Sequence, residues 1–86
     1  MKVRLGSPLR SYTAGATVVE ADGSTLADLV TDLDRRYPGI AFRIVDEQSR
    51  VRQHVTVWIR SERCRDLTTP LAGLDEVVIM QALSGG

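Results

Sequence analysis

The sequence predicts an α+β fold in which one main helix covers one face of a single mixed sheet. Two observations support this. Strand-like alternation occurs at both ends of the chain, and one apolar stripe at helical spacing lies between them. The 86 residues are 43 % hydrophobic and 26 % charged, which is typical of one globular domain with one core.

The first part of the chain predicts a β-hairpin. Residues 1–5 alternate between apolar and basic side chains, as a half-buried strand does. Gly-Ser-Pro at residues 6–8 interrupts this strand, and residues 12–15 are turn-like. Residues 16–21, rich in Thr and Val, predict the second strand of the hairpin.

The main helix is predicted to begin after the hairpin. Ser24 or Thr25 can cap it, and Asp28 lies three residues after Thr25, in the position of a capping box. Pro38-Gly39 ends it. Its apolar stripe, at spacings of three and four residues, consists of Leu26, Leu29, Val30, Leu33 and Tyr37.

The second half of the chain supplies at least two more strands. Residues 54–60 form the clearest one, since Val, Val and Ile alternate with Thr, Trp and Arg. Residues 76–83 predict a final strand, with Val77 and Ile79 on its inner face. Residues 41–45 fit a short extended segment or a helical turn. A hairpin, a helix and further strands in this order suit a β-grasp, the ubiquitin-like fold, with four to five strands and the last strand beside the first.

The chain ends in Ser84-Gly85-Gly86 directly after the final apolar strand. We therefore expect a β-grasp domain over residues 1–83 and a flexible tail over residues 84–86. Glycine has no Cβ, so this tail can thread a narrow channel, and three extended residues reach about 10 Å. A loose terminus without a role is the ordinary alternative.

Four stretches of the chain resemble the ubiquitin-like sulfur carriers of the ThiS/MoaD family. They are residues 9–13 (Leu-Arg-Ser-Tyr-Thr), residues 25–37 with Gly39-Ile40 after them, residues 55–65 and residues 71–86. The pattern Asp75-x-Val77-x-Ile79, followed seven residues later by Gly86, resembles the family's ending. Within the family the chain is most similar to the actinobacterial carriers associated with a cysteine synthase.

The resemblance implies a function for Gly86. An E1-like adenylyltransferase would use ATP and Mg to adenylate its carboxylate, with Ser84, Gly85 and Gly86 threaded into that enzyme. A sulfur source would then give a thiocarboxylate, which a cysteine synthase-like, thiazole synthase-like or other synthase would accept. The chain itself would be neither an enzyme nor a cofactor-binding protein, so no residue of it is predicted to be catalytic.

A docking patch is predicted on the sheet face that points away from the helix. Trp58 alternates with the inward residues of its strand, and Val78 and Met80 do the same on the final strand. If the two strands are neighbours, these three residues and Leu83 form an exposed apolar patch of the kind that marks interaction. The alternative is that a loop covers Trp58.

The composition argues against several other classes of function. Eleven basic and eleven acidic residues give no net charge, which argues against nucleic acid as the main partner. Cys64 is the only cysteine and His54 the only histidine, so a disulfide, a metal site and a Ser-His-Asp triad are not expected. No apolar run is long enough to span a bilayer, and we expect a cytoplasmic protein.

Two alternatives to the carrier remain open on the sequence. One is a ubiquitin-like modifier that is conjugated through Gly86, and the other is a plain β-grasp interaction module. Lys2 is the only lysine, which disfavours branched chains of such a modifier but not single conjugation. The sequence names neither the acceptor enzyme nor the sulfur source.

Overall fold

The computed structural model describes residues 1–81. Five strands, one 3-10 helix and two α-helices make up this part of the chain. In chain order they are β1 (Lys2–Leu5), the 3-10 helix (Ser7–Thr13), β2 (Val18–Glu20), α1 (Leu26–Arg36), α2 (Ile40–Ile44), β3 (Val55–Ile59), β4 (Glu62–Cys64) and β5 (Glu76–Gln81).

The five strands form one mixed sheet in the order β2-β1-β5-β3-β4. β1 pairs in parallel with β5, from Lys2 opposite Glu76 to Leu5 opposite Ile79. The other neighbours are antiparallel. The last strand of the chain therefore lies beside the first, at the centre of the sheet, and the predicted β-grasp is confirmed.

The core lies between α1 and the inner face of the sheet. Leu26, Leu29, Val30 and Leu33 of the helical stripe are buried, and Tyr37 packs against them from a half-buried position. The inward residues of the central strands are buried too, and they are Val3, Leu5, Val55, Val57, Val77 and Ile79. The predicted periodicities therefore identify the two surfaces that meet in the core.

Side-chain hydrogen bonds fix the start of α1. Thr25 is the N-cap, and its hydroxyl accepts a hydrogen bond from the backbone N–H of Asp28 at 3.2 Å. The Asp28 carboxylate in turn accepts one from the Ser24 hydroxyl at 2.6 Å. Both residues proposed as caps thus take part, with Thr25 as the cap itself.

Asp32 ties the middle of α1 to the segment before it. Its carboxylate accepts hydrogen bonds from the backbone N–H of Asp22 and from the guanidinium groups of Arg35 and Arg36. The Asp22 N–H, with the two arginines, lowers the pKa of Asp32 to about 2. The charged form of Asp32 thus fixes where the helix lies relative to the hairpin.

Two short elements differ from the sequence expectation, and the structure decides a third that the sequence left open. Residues 7–13 form a 3-10 helix, where only a break and a later turn were expected, and the Thr13 hydroxyl donates to the carbonyl oxygens of Arg10 and Ala16. The segment that fitted either an extended stretch or a helical turn is helical and forms α2. Arg60 and Ser61 both have positive φ and turn the chain into β4, which the alternation pattern did not show.

The helix–sheet core gives the first prediction. Leu33→Ala should lower the free energy of unfolding by about 2–5 kcal/mol, because Leu33 has no exposed surface and the truncation leaves a cavity. Thr31→Ala, on the exposed side of the same helix, should change it by less than about 0.5 kcal/mol. Urea denaturation of both variants measures the difference, and equal losses would contradict the assignment of the buried face.

Candidate functional site

The candidate site is the end of β5 together with the outer face of the sheet beside it. Gln81 is the last described residue and pairs with Val55 at the start of β3. β1 flanks β5 as far as Ile79, and β3 flanks it on the other side up to Gln81. The predicted tail residues Ser84, Gly85 and Gly86, and Leu83 of the predicted patch, lie outside the described residues.

Close contact between Gly6 and Met80 fixes the position of the β5 end. The Gly6 N–H donates a 2.9 Å hydrogen bond to the carbonyl oxygen of Ile79. A Cβ at Gly6 would lie 2.9 Å from Met80 Sδ and 3.2 Å from Met80 Cα. Gly6 has a φ of −72°, which any residue adopts, so this position needs glycine for space and not for conformation.

Trp58, Val78 and Met80 lie together on the outer face of the sheet, and we call them the open patch. Trp58 is opposite Val78 across the β3–β5 pair, and Met80 is opposite Thr56 one step further. Trp58 and Met80 are each 37 % exposed, so no described loop covers Trp58. The structure thus places these three residues on neighbouring strands, and their docking role stays a prediction.

Charged side chains border the open patch. On one side Arg4, which pairs with Val78 in the sheet, forms a 2.6 Å ion pair with Glu76. On the other side the Arg63 guanidinium lies 5.9 Å from the centre of the Trp58 ring. An apolar centre with a polar rim is the usual composition of a protein–protein interface.

The single histidine and the single cysteine of the sequence do not belong to the open patch. His54 is exposed just before β3. Cys64 is half-buried, packs against the core, and has its Sγ 3.1 Å from the Thr69 hydroxyl. Within residues 1–81, no three His, Cys, Asp or Glu side chains gather where a metal ion could be held. In the same range no helix has the length and apolar character needed to cross a membrane.

A second feature at the β5 end was not found from the sequence. A cleft next to Gln81 is lined by Phe42, Arg43, Arg52 and His54. Phe42 is 61 % exposed, and the Arg52 guanidinium lies 4.6 Å from the centre of its ring. The available signal was an aromatic residue in a segment rich in arginine, but its position beside β5 depends on the tertiary fold.

Comparison with known proteins decides the family. Residues 3–86 match the ThiS family. The chain belongs to the ThiS family. The sulfur carrier protein CysO of Mycobacterium tuberculosis is 36 % identical to it over an alignment of 93 residues that covers the whole of both chains. ThiS-family carriers of this kind are carrier proteins rather than enzymes, and the chain is classed with them.

Solved structures of similar proteins have the same fold. A chain of the Amycolatopsis orientalis BexX/CysO complex superposes with a TM-score of 0.86 at 28 % identity, over 99 % of this chain and 98 % of that one. Mycobacterium tuberculosis CysO gives 0.86 at 31 % identity, over 95 % and 98 %. The small archaeal modifier protein 1 of Methanosarcina acetivorans gives 0.77 at 29 % identity, over 99 % and 94 %.

The contact between Gly6 and Met80 gives the second prediction. Gly6→Ala should lower the free energy of unfolding by about 1–3 kcal/mol, because the new methyl group would displace the Met80 side chain and crowd the backbone of a central strand. Ser7→Ala, at the neighbouring exposed position, is the control and should be nearly neutral. Thermal melts of the two variants test this, and an unchanged Gly6→Ala protein would show that β5 can move away.

Proposed function

We propose that the chain carries sulfur as a thiocarboxylate on Gly86. The observation that carries this proposal is that the match to the ThiS family extends to Gly86. The last described strand, β5, is central in the sheet. The full-length likeness to a named sulfur carrier supports it. We place the activity in the cytoplasm, where ATP is available to an activating enzyme.

The proposed chemistry proceeds in two displacements. The Gly86 carboxylate attacks the α-phosphate of ATP bound with Mg to an E1-like adenylyltransferase, which gives an acyl-adenylate and pyrophosphate. Sulfide then attacks the acyl carbon, AMP leaves, and the C-terminus becomes a thiocarboxylate. A persulfide donor would instead give an acyl disulfide, and a second thiol must attack that disulfide to release the thiocarboxylate and form a disulfide with the donor. The chain contributes the terminal carboxylate, and the enzyme supplies the ATP site. Accurate placement of the two reacting groups contributes much of the rate of such a reaction.

We propose that the thiocarboxylate sulfur is passed to an acceptor synthase. Sulfur is a stronger nucleophile than the oxygen it replaces, so it can attack an electrophilic substrate in the synthase. A cysteine synthase-like enzyme is the first candidate, given the likeness to CysO, and a thiazole synthase-like enzyme is another. The complex that contains CysO and BexX supports the view that such carriers meet a partner enzyme directly.

The open patch is the proposed docking surface for a partner enzyme. Trp58 offers the largest apolar side chain at the surface, and Arg63 and the Arg4–Glu76 ion pair border it. Aromatic residues with a polar rim carry much of the energy in protein interfaces. Leu83, the fourth residue of the predicted patch, would extend it along the chain toward Gly86.

The tail gives the third prediction. Deletion of Gly86 should abolish sulfur loading, because the new terminal carboxylate would lie about 3.5 Å short of the ATP. A displacement of ~1 Å can already cost 100-fold in rate. Intact-mass spectrometry with adenylyltransferase, MgATP and sulfide should show sulfur replacing one oxygen in the wild-type chain only. Unchanged thermal melting of the variant is the control, and loading at the wild-type rate would refute the proposal.

The open patch gives the fourth prediction. Trp58→Ser should weaken binding to the adenylyltransferase by about 2 kcal/mol, roughly 30-fold, if Trp58 is an anchor of the interface. Trp58→Phe keeps an apolar ring and should retain most of the affinity. Isothermal titration calorimetry separates the two variants. Equal affinities for Trp58→Ser and the wild type would show that the open patch is not part of the interface.

A ubiquitin-like modifier is the second candidate function. The likeness to the Methanosarcina acetivorans small archaeal modifier protein favours it, because the fold and the terminal glycines would serve both roles. Isopeptide-linked conjugates in lysate from cells that express the chain would support the modifier. A plain interaction module is distinguished by deletion of Gly85-Gly86, since its binding would survive that deletion.

A further inference from the structure

The arginines divide into two groups by the oxygens that they bind. Four have a carboxylate partner, and they are Arg4, Arg35, Arg36 and Arg50. The other six have no carboxylate within 4.0 Å among residues 1–81. Arg60 and Arg63 of this second group lie on β3–β4 next to the open patch. The remaining four are Arg10, Arg43, Arg52 and Arg65, which we call the cationic collar.

The cationic collar lies around the end of β5. Arg43 and Arg52 line the same cleft as Gln81, the last described residue of the strand. Arg65 donates to the carbonyl oxygen of Val55, the residue paired with Gln81. Arg10 donates to the carbonyl oxygen of Leu5, which is opposite Ile79 on β5. The last described residue of β5 therefore lies among positive charges.

Neutral oxygens hold three of these side chains in place through one nitrogen each. Arg43 donates from Nε to the Tyr12 hydroxyl at 2.8 Å, and Arg52 donates from Nε to the carbonyl oxygen of Phe42 at 2.6 Å. Arg10 uses Nε as well. In both Arg43 and Arg52, the two terminal guanidinium nitrogens make no hydrogen bond to residues 1–81. The two terminal nitrogens of one guanidinium group can together bind both oxygens of a carboxylate.

The carboxylates nearest to the cleft form no ion pair with the collar among the described residues. Asp46 lines the cleft but accepts the backbone N–H groups of Gln48 and Arg50, and the Arg50 Nε lies 3.9 Å from it. The Arg50 N–H is the main reason that the pKa of Asp46 is lowered, and the charges of Arg50 and Arg52 add to it. Glu47 is the other carboxylate of this loop. The cleft beside Gln81 is thus lined by two arginines, Arg43 and Arg52, and one carboxylate, Asp46.

We propose that the cationic collar docks on an acidic rim around the channel through which a partner enzyme receives the C-terminus. This inference rests on the proposed function. Guanidinium forks that are already positioned match carboxylates on the partner, and Phe42 adds an exposed ring at the edge of the contact. Complementary charge of this kind raises association rates by about 10- to 1,000-fold and sets orientation, and salt weakens it.

The test compares two charge reversals of equal net charge. Arg43→Glu changes the collar, and Arg35→Glu changes an exposed position on α1 away from it. At low salt, kcat/KM for adenylation of the full-length chain should fall by about 10-fold or more for Arg43→Glu and by less than about 2-fold for Arg35→Glu. The gap should narrow at high salt. Thermal melts confirm that both variants fold, and Arg43→Lys should recover most of the rate because it restores the charge.

The outcomes of this test are separate from those for the proposed function. If the wild-type chain does not load sulfur, the proposed function fails. If the wild type loads and both reversals lower kcat/KM equally, only the total charge matters and the collar has no role. A difference that persists unchanged at high salt would also overturn the inference, because the contact would not be electrostatic.

A second measurement needs no partner enzyme. A hexaglutamate peptide is titrated into the ¹⁵N-labelled full-length chain at low salt. Amide shifts should move at residues 42–43 and 52–54, stay fixed near Glu20, and be lost in Arg43→Glu. Shifts spread evenly over the surface would contradict a localised acidic-partner site. If oligouridylate bound at the same residues more tightly than hexaglutamate, the collar would be a nucleic-acid site and the proposal would be overturned.

Discussion

The parallel pairing of β1 with β5 is the constraint on which the rest of the structure depends. It joins residues about 74 positions apart in the chain, so it forms only when the whole intervening segment has folded back. It makes β5 a central strand with β3 on its other side. The inner face of β5 then meets α1, its outer face carries the open patch, and its end lies in the collar.

The sequence predicts the large elements well because each has a strong period. Val55, Val57 and Ile59 alternate over a full strand, and the stripe from Leu26 to Leu33 repeats over two turns of helix. The open patch follows from the same alternation once β3 and β5 are neighbours. These features could be predicted because a side chain's direction in regular structure depends only on its place in the repeat.

The short elements could not be predicted in this way. The 3-10 helix depends on the Thr13 hydroxyl, which bridges two carbonyl groups, and β4 depends on positive φ at Arg60 and Ser61, residues that rarely adopt it. The cationic collar was even harder to predict from the sequence. Helical spacing can pair Arg35 with Asp32 three residues earlier, but only the fold brings Arg43 to the phenol of Tyr12, 31 positions away.

The central position of β5 also has a mechanical consequence. A pull on the C-terminus acts along the axis of this strand and loads the β1 and β3 ladders together in shear, so many hydrogen bonds must stretch at once. A terminus that followed an edge strand could instead be peeled away one bond at a time. Tension applied at Gln81 is therefore shared between both ladders, and the body of the domain should stay folded under it.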